Sequence, residues 1–470
     1  MGIQFHTIGQ ADKAYFSSLI GQEYVFDLHE VLTNYGHDET ENLSFLPDLV
    51  VKPGNTQEIS ELLRYCSSHN ICVTVRGAGT GLSGAALPVM GGIILSMERF
   101  NRILEIDEKN LQARVQPGVI TQVFQEAVIA KGLYYPPDPS SRGSCFIGGN
   151  LSHNSGGPRA VKYGVTRDYV LSLEVVLSSG EVIQTGARVL KNSTGYSLTQ
   201  LMVGSEGTLG VITEATFKLI PYPAMQKTLL APFQSAQDAC TAVSAIFRAG
   251  VVPSALEFME RDAIDFTLKH KPEIQLKPNT EDQAHLLIEV DGQDEESILK
   301  DIERIVSVLE EHDCGEILFA ETEQQKAGLW KLRRSVAEAV KAHSIYKEED
   351  TVVPRASLPE LLAGVKAIGE KYGFRSVCYG HAGDGNLHVN ILRGQLSERQ
   401  WNEEVPKGIR EIFQLVVSLG GTLSGEHGIG LVQQPYLDVV FNEVQLNLMR
   451  AIKKVFDPSG ILNPGKTLGE

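Results

Sequence analysis

The sequence predicts an α+β chain of more than one domain, and three observations carry that expectation. At 470 residues the chain is longer than one hydrophobic core usually serves, so two or three domains are expected. Strand, helix and glycine-rich loop alternate up to about Pro221. From Ala224 the rhythm changes to β-α-β-β-α-β, a ferredoxin-like order.

Taken in chain order, residues 1–41 read as an N-terminal helical segment and 42–221 as the first domain. In "NTQEISELLRYCSSHN", Asn55 is a candidate cap with Glu58 three residues on. Ile59, Leu62, Leu63 and Cys66 then follow at helical spacing. Ile71, Val73 and Val75 alternate as a strand. Residues 222–419 form the second domain. There "KTLLAPF" and "SALEFME" read as strands flanking a helix from about Ser235 to Ala249. "HLLIEVDG" and "EILFAET" flank another, from about Glu295 to Glu311. Residues 420–470, with a helix around Val444 to Phe456, are expected to return to the first domain.

Composition removes several classes of function. Charged residues balance as 42 − 58 = −16, which argues against a nucleic-acid surface. No apolar run reaches the ~20 residues a membrane helix needs, so no transmembrane segment is expected. The start "MGIQFHTIGQADKAYF" lacks a basic segment followed by an apolar one, and His6 rejects the lipidation pattern that Met1-Gly2 suggests. Six scattered cysteines form no C-x-x-C pair, which suits a reducing compartment, the cytoplasm, and disfavours an iron–sulfur cluster in this chain.

The chemistry-bearing residues are concentrated in glycine-rich stretches. "RGAGTGLSG" holds Gly79-x-Gly81-x-x-Gly84, the letters of a dinucleotide fingerprint, but Pro88 and Gly91-Gly92 follow where that motif needs a helix. A strand-to-strand turn with bare backbone N–H groups is the expectation instead. Two further segments, Pro136 to Val170 and Met202 to Thr213, repeat the association of glycines with strands. Three such segments suggest a large phosphate-bearing ligand.

The linked set "RGAGTGLSG … PPDPSS … GGNLSHNSGGPRAVKYG … VGSEGTLGVIT … LNPGK" resembles the FAD-binding domain of the vanillyl-alcohol-oxidase superfamily, of PCMH type. It is most similar to the branch of glycolate oxidase FAD subunits, D-lactate dehydrogenases and D-2-hydroxyglutarate dehydrogenases. The resemblance implies a two-part FAD-binding domain, a ferredoxin-like cap over the substrate and a C-terminal helical segment. It implies that Arg76, Gly77, Ala78, Gly79, Thr80, Gly81 and Ser83 wrap the FAD pyrophosphate. By the same carry-over Pro137, Asp138, Ser140, Ser141, Gly148, Gly149, Asn150, Asn154, Ser155, Gly156, Gly157, Glu206, Gly207, Gly210, Val211 and Ile212 line the flavin, joined by Asn463. Some relatives attach FAD through a histidine in or near the first loop. This loop carries Ala78 and no histidine, so FAD is expected to be non-covalent.

"GHAGDGNLHVN" places His381 and His388 on either side of a turn, and "GGTLSGEHGIG" adds Glu426 and His427. The alternation of Val377, Tyr379 and His381 predicts a β-hairpin in which His381 faces His388. Each histidine alone is more often structural; two across a hairpin with a Glu-His pair elsewhere point to a metal site. Two imidazoles and a carboxylate are a zinc set with open positions, with Mn or Fe as the alternatives. Resemblance implies His381, His388 and Glu426 as the ligands, Asn390 as a substrate contact and His427 as the base. An imidazole pKa near ~6.5 suits His427 to that task. Arg333, in "LWKLRRSVAEAV", stands where relatives hold the substrate carboxylate, whereas Arg334 reads as a solvated helix face. The 2-hydroxyglutarate enzymes carry Thr where this chain has Ala337, and their lysine has no secure match beyond Lys347.

The function expected is oxidation of a D-2-hydroxy acid, lactate or glycolate in kind, with FAD and a divalent metal. The electron acceptor expected is an electron-transfer flavoprotein, quinone, cytochrome or iron–sulfur subunit, and a homodimer is compatible. Alternatives are an oxidase using dioxygen, a flavin subunit of a larger glycolate oxidase complex, and a purely structural zinc.

Overall fold

The computed structural model describes residues 5–469; the Met1-Gly2 start lies outside the described residues. The helix Thr56–His69 forms as its sequence dictates: the Asn55 side chain accepts from the Glu58 N–H, and Asn70 ends it in the left-handed region. Its buried face is Ile59, Leu62, Leu63 and Cys66, packed on Leu49, Val51, Ile93 and Leu95. Full burial of each such aliphatic side chain contributes about 1.5–3 kcal/mol.

The chain divides into two units. Unit 1 is Met1–Gly156, Val165–Tyr222 and Glu426–Glu470, and unit 2 is Gly157–Gly164 and Pro223–Gly425. The continuous 42–221 span expected from sequence is therefore interrupted. Residues 157–164 group with unit 2 because Arg159, Lys162 and Tyr163 all reach acidic residues of its strand Ala284–Gly292. The later boundary falls after Gly425 rather than 419. Thr422 bridges Val352 there, and the Gly425 N–H and Ser424 hydroxyl both donate to Asp350 at 2.8 Å.

Among the described residues unit 1 holds three sheets, of four, five and two strands, the smallest pairing Leu133–Tyr134 with Ile220–Pro221. The first runs Val25–Phe26, Leu49–Val51, Ile93–Ser96, Val73–Arg76, with the last three strands parallel. The second is antiparallel, in the order Ile103–Asp107, Gln112–Val115, Val211–Lys218, Val170–Val176, Val182–Gly186. The connection from Val73–Arg76 to Ile93–Ser96 contains no helix, as Pro88 and Gly91-Gly92 require.

Unit 2 is a single seven-stranded antiparallel sheet. Its order is Leu318–Phe319, Met225–Phe233, Ala284–Gly292, Ala255–Glu260, Arg375–Gly380, Asn386–Leu392, Tyr346–Val352. The β-α-β-β-α-β pattern supplies the first four, with an additional helix, Arg261–His270, before the third strand in sequence. "EILFAET" forms only a two-residue strand. The histidine hairpin extends this sheet, pairing with Ala255–Glu260 through Phe258↔Gly380 and Met259↔Tyr379.

Candidate functional site

In unit 1 the three glycine-rich segments converge. A Cβ built on Gly77 would lie 3.8 Å from the Gly149 nitrogen, and one on Gly207 would lie 3.0 Å from the Asn463 amide and 3.5 Å from Val75. Backbone bonds tie the third segment to the second, Gly204 N–H to Leu151 at 2.8 Å and Glu206 N–H to Ser152 at 2.9 Å. The crest of the first loop, including Ala78, Thr80 and Gly81, is half exposed. None of its backbone N–H groups from Gly77 to Ser83 donates to another described group. Consecutive bare N–H groups beside a glycine at φ +76 (Gly79) form a concavity suited to a pyrophosphate. The Ser83 hydroxyl is buried there without a hydrogen-bond partner among the described residues.

Several residues named from sequence are already engaged by the protein. The Glu206 carboxylate accepts from the N–H groups of Ile429 and Gly430 and from the Thr467 hydroxyl, at 2.7, 2.8 and 2.9 Å. Asn463 accepts from the Val75 N–H and donates to the Glu206 carbonyl. Arg76 is buried, donates to the Tyr35 carbonyl and stands over the Tyr35 ring. Asp138 pairs with Arg142 at 3.1 Å, the Pro137 carbonyl accepts from Gln125, and Asn150 donates to Thr121 at 2.6 Å. Asn154, in the left-handed region, accepts from the Arg167 N–H, and the Ser155 carbonyl takes Thr166. The Val211 and Ile212 side chains belong to the hydrophobic cores, so any ligand contact at Gly210 to Ile212 falls to the backbone. Ser140 is exposed, Ser141, Gly148 and Gly149 are half buried, and Gly156 is buried. Gly157, which opens the 157–164 excursion, is buried in unit 2.

One histidine approaches the first loop from outside it. A Cβ on Gly81 would lie 3.9 Å from the His153 Nε2, and one on Gly428 would lie 2.5 Å from its Nδ1. Glu426 and His427 open the last segment of unit 1, directly before Gly428.

In unit 2 the hairpin register differs from the expected one. His388 pairs with Tyr379, and His381 falls one residue past the strand Arg375–Gly380. The reason is the turn: Ala382–Asp384 coils as a short 3-10 segment and Gly385 closes it at φ +78, longer than a two-residue Asp-Gly turn. Tyr379 and His381 still share a face, so His381 lies diagonal to His388 with ring centroids 5.4 Å apart.

Both rings are backed by carboxylates that the sequence reading missed. His381 Nδ1 lies 2.9 Å from both oxygens of Glu257. His388 Nδ1 lies 3.3 Å from Glu348 and 3.8 Å from Asp350. Arg333 is buried at the end of the helix Glu323–Arg334, its Nε 2.7 Å from Glu257 and its guanidinium 5.1 Å from the Tyr379 ring. Burial pushes the Glu257 carboxyl up, but its interactions with His381 and Arg333 outweigh that and hold it below the ordinary carboxylate range. Arg334 is not a freely solvated side chain, since its guanidinium stands 5.2 Å over Trp330. Lys347 stands 5.2 Å over Trp401. Asn390 is fully buried, and neither of its amide atoms has a hydrogen-bond partner among the described residues. The one signal that could have found Glu257 is its setting: a carboxylate inside the apolar run "ALEFME" must have a buried partner.

Comparison with known proteins agrees with both units. Family models described as "FAD binding domain" and "FAD linked oxidases, C-terminal domain" match residues 47–186 and 222–467. The "Glycolate oxidase subunit GlcD" of Bacillus subtilis (strain 168) is 43% identical, covering 92% of this chain and 91% of its own. The "D-lactate dehydrogenase" of Anaerostipes hadrus is 38% identical over 95% of this chain and 94% of its own. Among solved structures, 4-ethylphenol oxidase from Gulosibacter chungangensis superposes with a TM-score of 0.77 at 21% identity, covering 97% of this chain and 96% of that one.

Proposed function

The chain belongs to the FAD-linked oxidases and is an FAD-dependent oxidoreductase of the glycolate oxidase and D-lactate dehydrogenase type; from this we propose that it oxidises a D-2-hydroxy acid, lactate or glycolate in kind, to the 2-oxo acid. The observation that carries the substrate class is the buried polar set of unit 2. Arg333 is a fixed cation, and Asn390 offers a donor and an acceptor that no other described residue uses. A small carboxylate with an adjacent hydroxyl would satisfy both, since buried polar groups demand partners.

The bare N–H groups of Gly77 to Ser83 fit the FAD pyrophosphate, and the second and third glycine-rich segments would border the flavin. Bound FAD supplies the acceptor for the hydride leaving the α-carbon. The donor set of two imidazoles and a carboxylate fits a divalent ion, zinc first, and His381, His388 and, from the Gly-Glu-His-Gly motif, Glu426 would hold it. Such an ion supplies Lewis acidity toward the substrate hydroxyl. The residues of the chain do the rest. Arg333 holds the carboxylate, Asn390 orients the acid, and His427 takes the hydroxyl proton. Because the relative from Bacillus subtilis is named a subunit, an obligate partner that receives the electrons is the second reading.

The test is anaerobic mixing of the flavin-loaded protein with D- and L-2-hydroxy acids, following loss of the flavin's visible absorbance before and after chelator treatment. Bleaching by a D-acid, abolished by the chelator, is expected. Bleaching that survives complete metal removal would make the ion structural, and no bleaching by any acid would end the 2-hydroxy-acid reading for this chain alone.

A further inference from the structure

We propose that Glu257 is a positioning residue that fixes the tautomer of His381 and the aim of Arg333 together, an inference that rests on the function proposed above. It follows from the sheet. Glu257 lies in the strand Ala255–Glu260, all of whose residues are buried. The pairing Phe258↔Gly380, continued by one step, sets Glu257 opposite His381, just where the hairpin leaves the ladder. The helix Glu323–Arg334 delivers Arg333 to the same carboxylate from its last turn.

An ionised carboxylate only accepts, so the Nδ1 of His381, 2.9 Å from each oxygen, carries the proton. In that tautomer the Nε2 bears no proton, the arrangement in which a carboxylate behind an imidazole strengthens and orients a metal-binding ring. The same carboxylate forms an ion pair with Arg333, whose Nε stands 2.7 Å from it. The Nη2 nitrogen is buried with no hydrogen-bond partner among the described residues and stays available to a substrate carboxylate. The Tyr379 ring, 5.1 Å from the guanidinium, limits its swing. A carboxylate present only to neutralise Arg333 would not also need both oxygens at His381. One residue therefore couples the ligand-bearing hairpin to the substrate-bearing helix, and its loss would be felt in two separate binding constants.

The experiment uses the FAD-loaded full chain, with Glu257→Gln and Glu257→Asp, and measures three quantities. They are zinc affinity of the stripped protein by competition with a chelating dye, the split between KM and kcat for the most reactive acid, and FAD content. For Glu257→Gln, zinc affinity should fall by about 10–100-fold. KM should rise and FAD content stay at the wild-type level. Glu257→Asp, which keeps the charge, should recover part of both losses. A folded Glu257→Gln protein with wild-type zinc affinity and KM would overturn the positioning role. If the glutamine variant fails to fold, the aspartate variant decides: reduced zinc affinity with full FAD content supports the role, and unchanged affinity overturns it. Absence of zinc binding in the wild-type chain would overturn this inference together with the metal part of the proposed function. Equal binding in wild type and variant sinks the positioning role alone.

Discussion

Gly373 and Gly385 have nearly the same backbone, φ +76 and +78, and differ in what surrounds them. Gly373 ends the helix Leu358–Tyr372, and a Cβ there meets nothing within 4 Å. At Gly385, which closes the histidine turn, a Cβ would fall 1.9 Å from the Val353 carbonyl oxygen. Gly373→Ala should therefore lose only the left-handed penalty, about 1–2 kcal/mol. Gly385→Ala should lose clearly more, because a backbone oxygen must also move. Urea denaturation of both variants checks this, and equal losses would show that the turn relaxes freely. Glu206 teaches a related lesson. The resemblance implies Glu206 as a cofactor contact, and its carboxylate ties the third glycine-rich segment to Ile429, Gly430 and Thr467. A motif identifies a residue as constrained without saying which partner constrains it.

The strand Ala284–Gly292 shows what an element does to its residues. It lies between two neighbours, and His285 is sealed between Pro232 and Met259 in the ladders. Burial pushes the His285 imidazole down to about 4. The folded chain keeps this ring neutral while the unfolded chain protonates it below ~6.5, so stability is intact above that value and is lost as pH falls toward 4. The loss for this one group is on the order of 3 kcal/mol once both values are passed. His285→Leu should flatten the fall in stability across that window, measured by denaturation at fixed pH steps; an unchanged slope would refute the assignment. The hairpin was visible in its alternation, but its register was not. Register depends on how the turn coils, and the Ala382–Asp384 segment consumes residues that a two-residue turn would have left in the ladder.

Across the whole molecule, all six cysteines are free, and only Cys314 is less than fully buried. Burial pushes the Cys314 thiol up to about 11, so it too is slow to react. Ellman's reagent should label at most one thiol in the folded chain and six after denaturation; rapid labelling of several would show that the cores open readily. By itself the sequence determined the α+β class, the capped helix at Asn55 and the three glycine-rich segments. Those follow from periodicity, capping and motif spacing, which act over a few residues at a time. Tertiary structure alone decided that 157–164 joins unit 2, that Tyr379 rather than His381 opposes His388, and that Glu257 serves His381 and Arg333 at once. The partner of a buried charge is set by strand pairing and helix docking between segments far apart in the chain. No local pattern records that pairing, and the low dielectric of the interior makes it decisive.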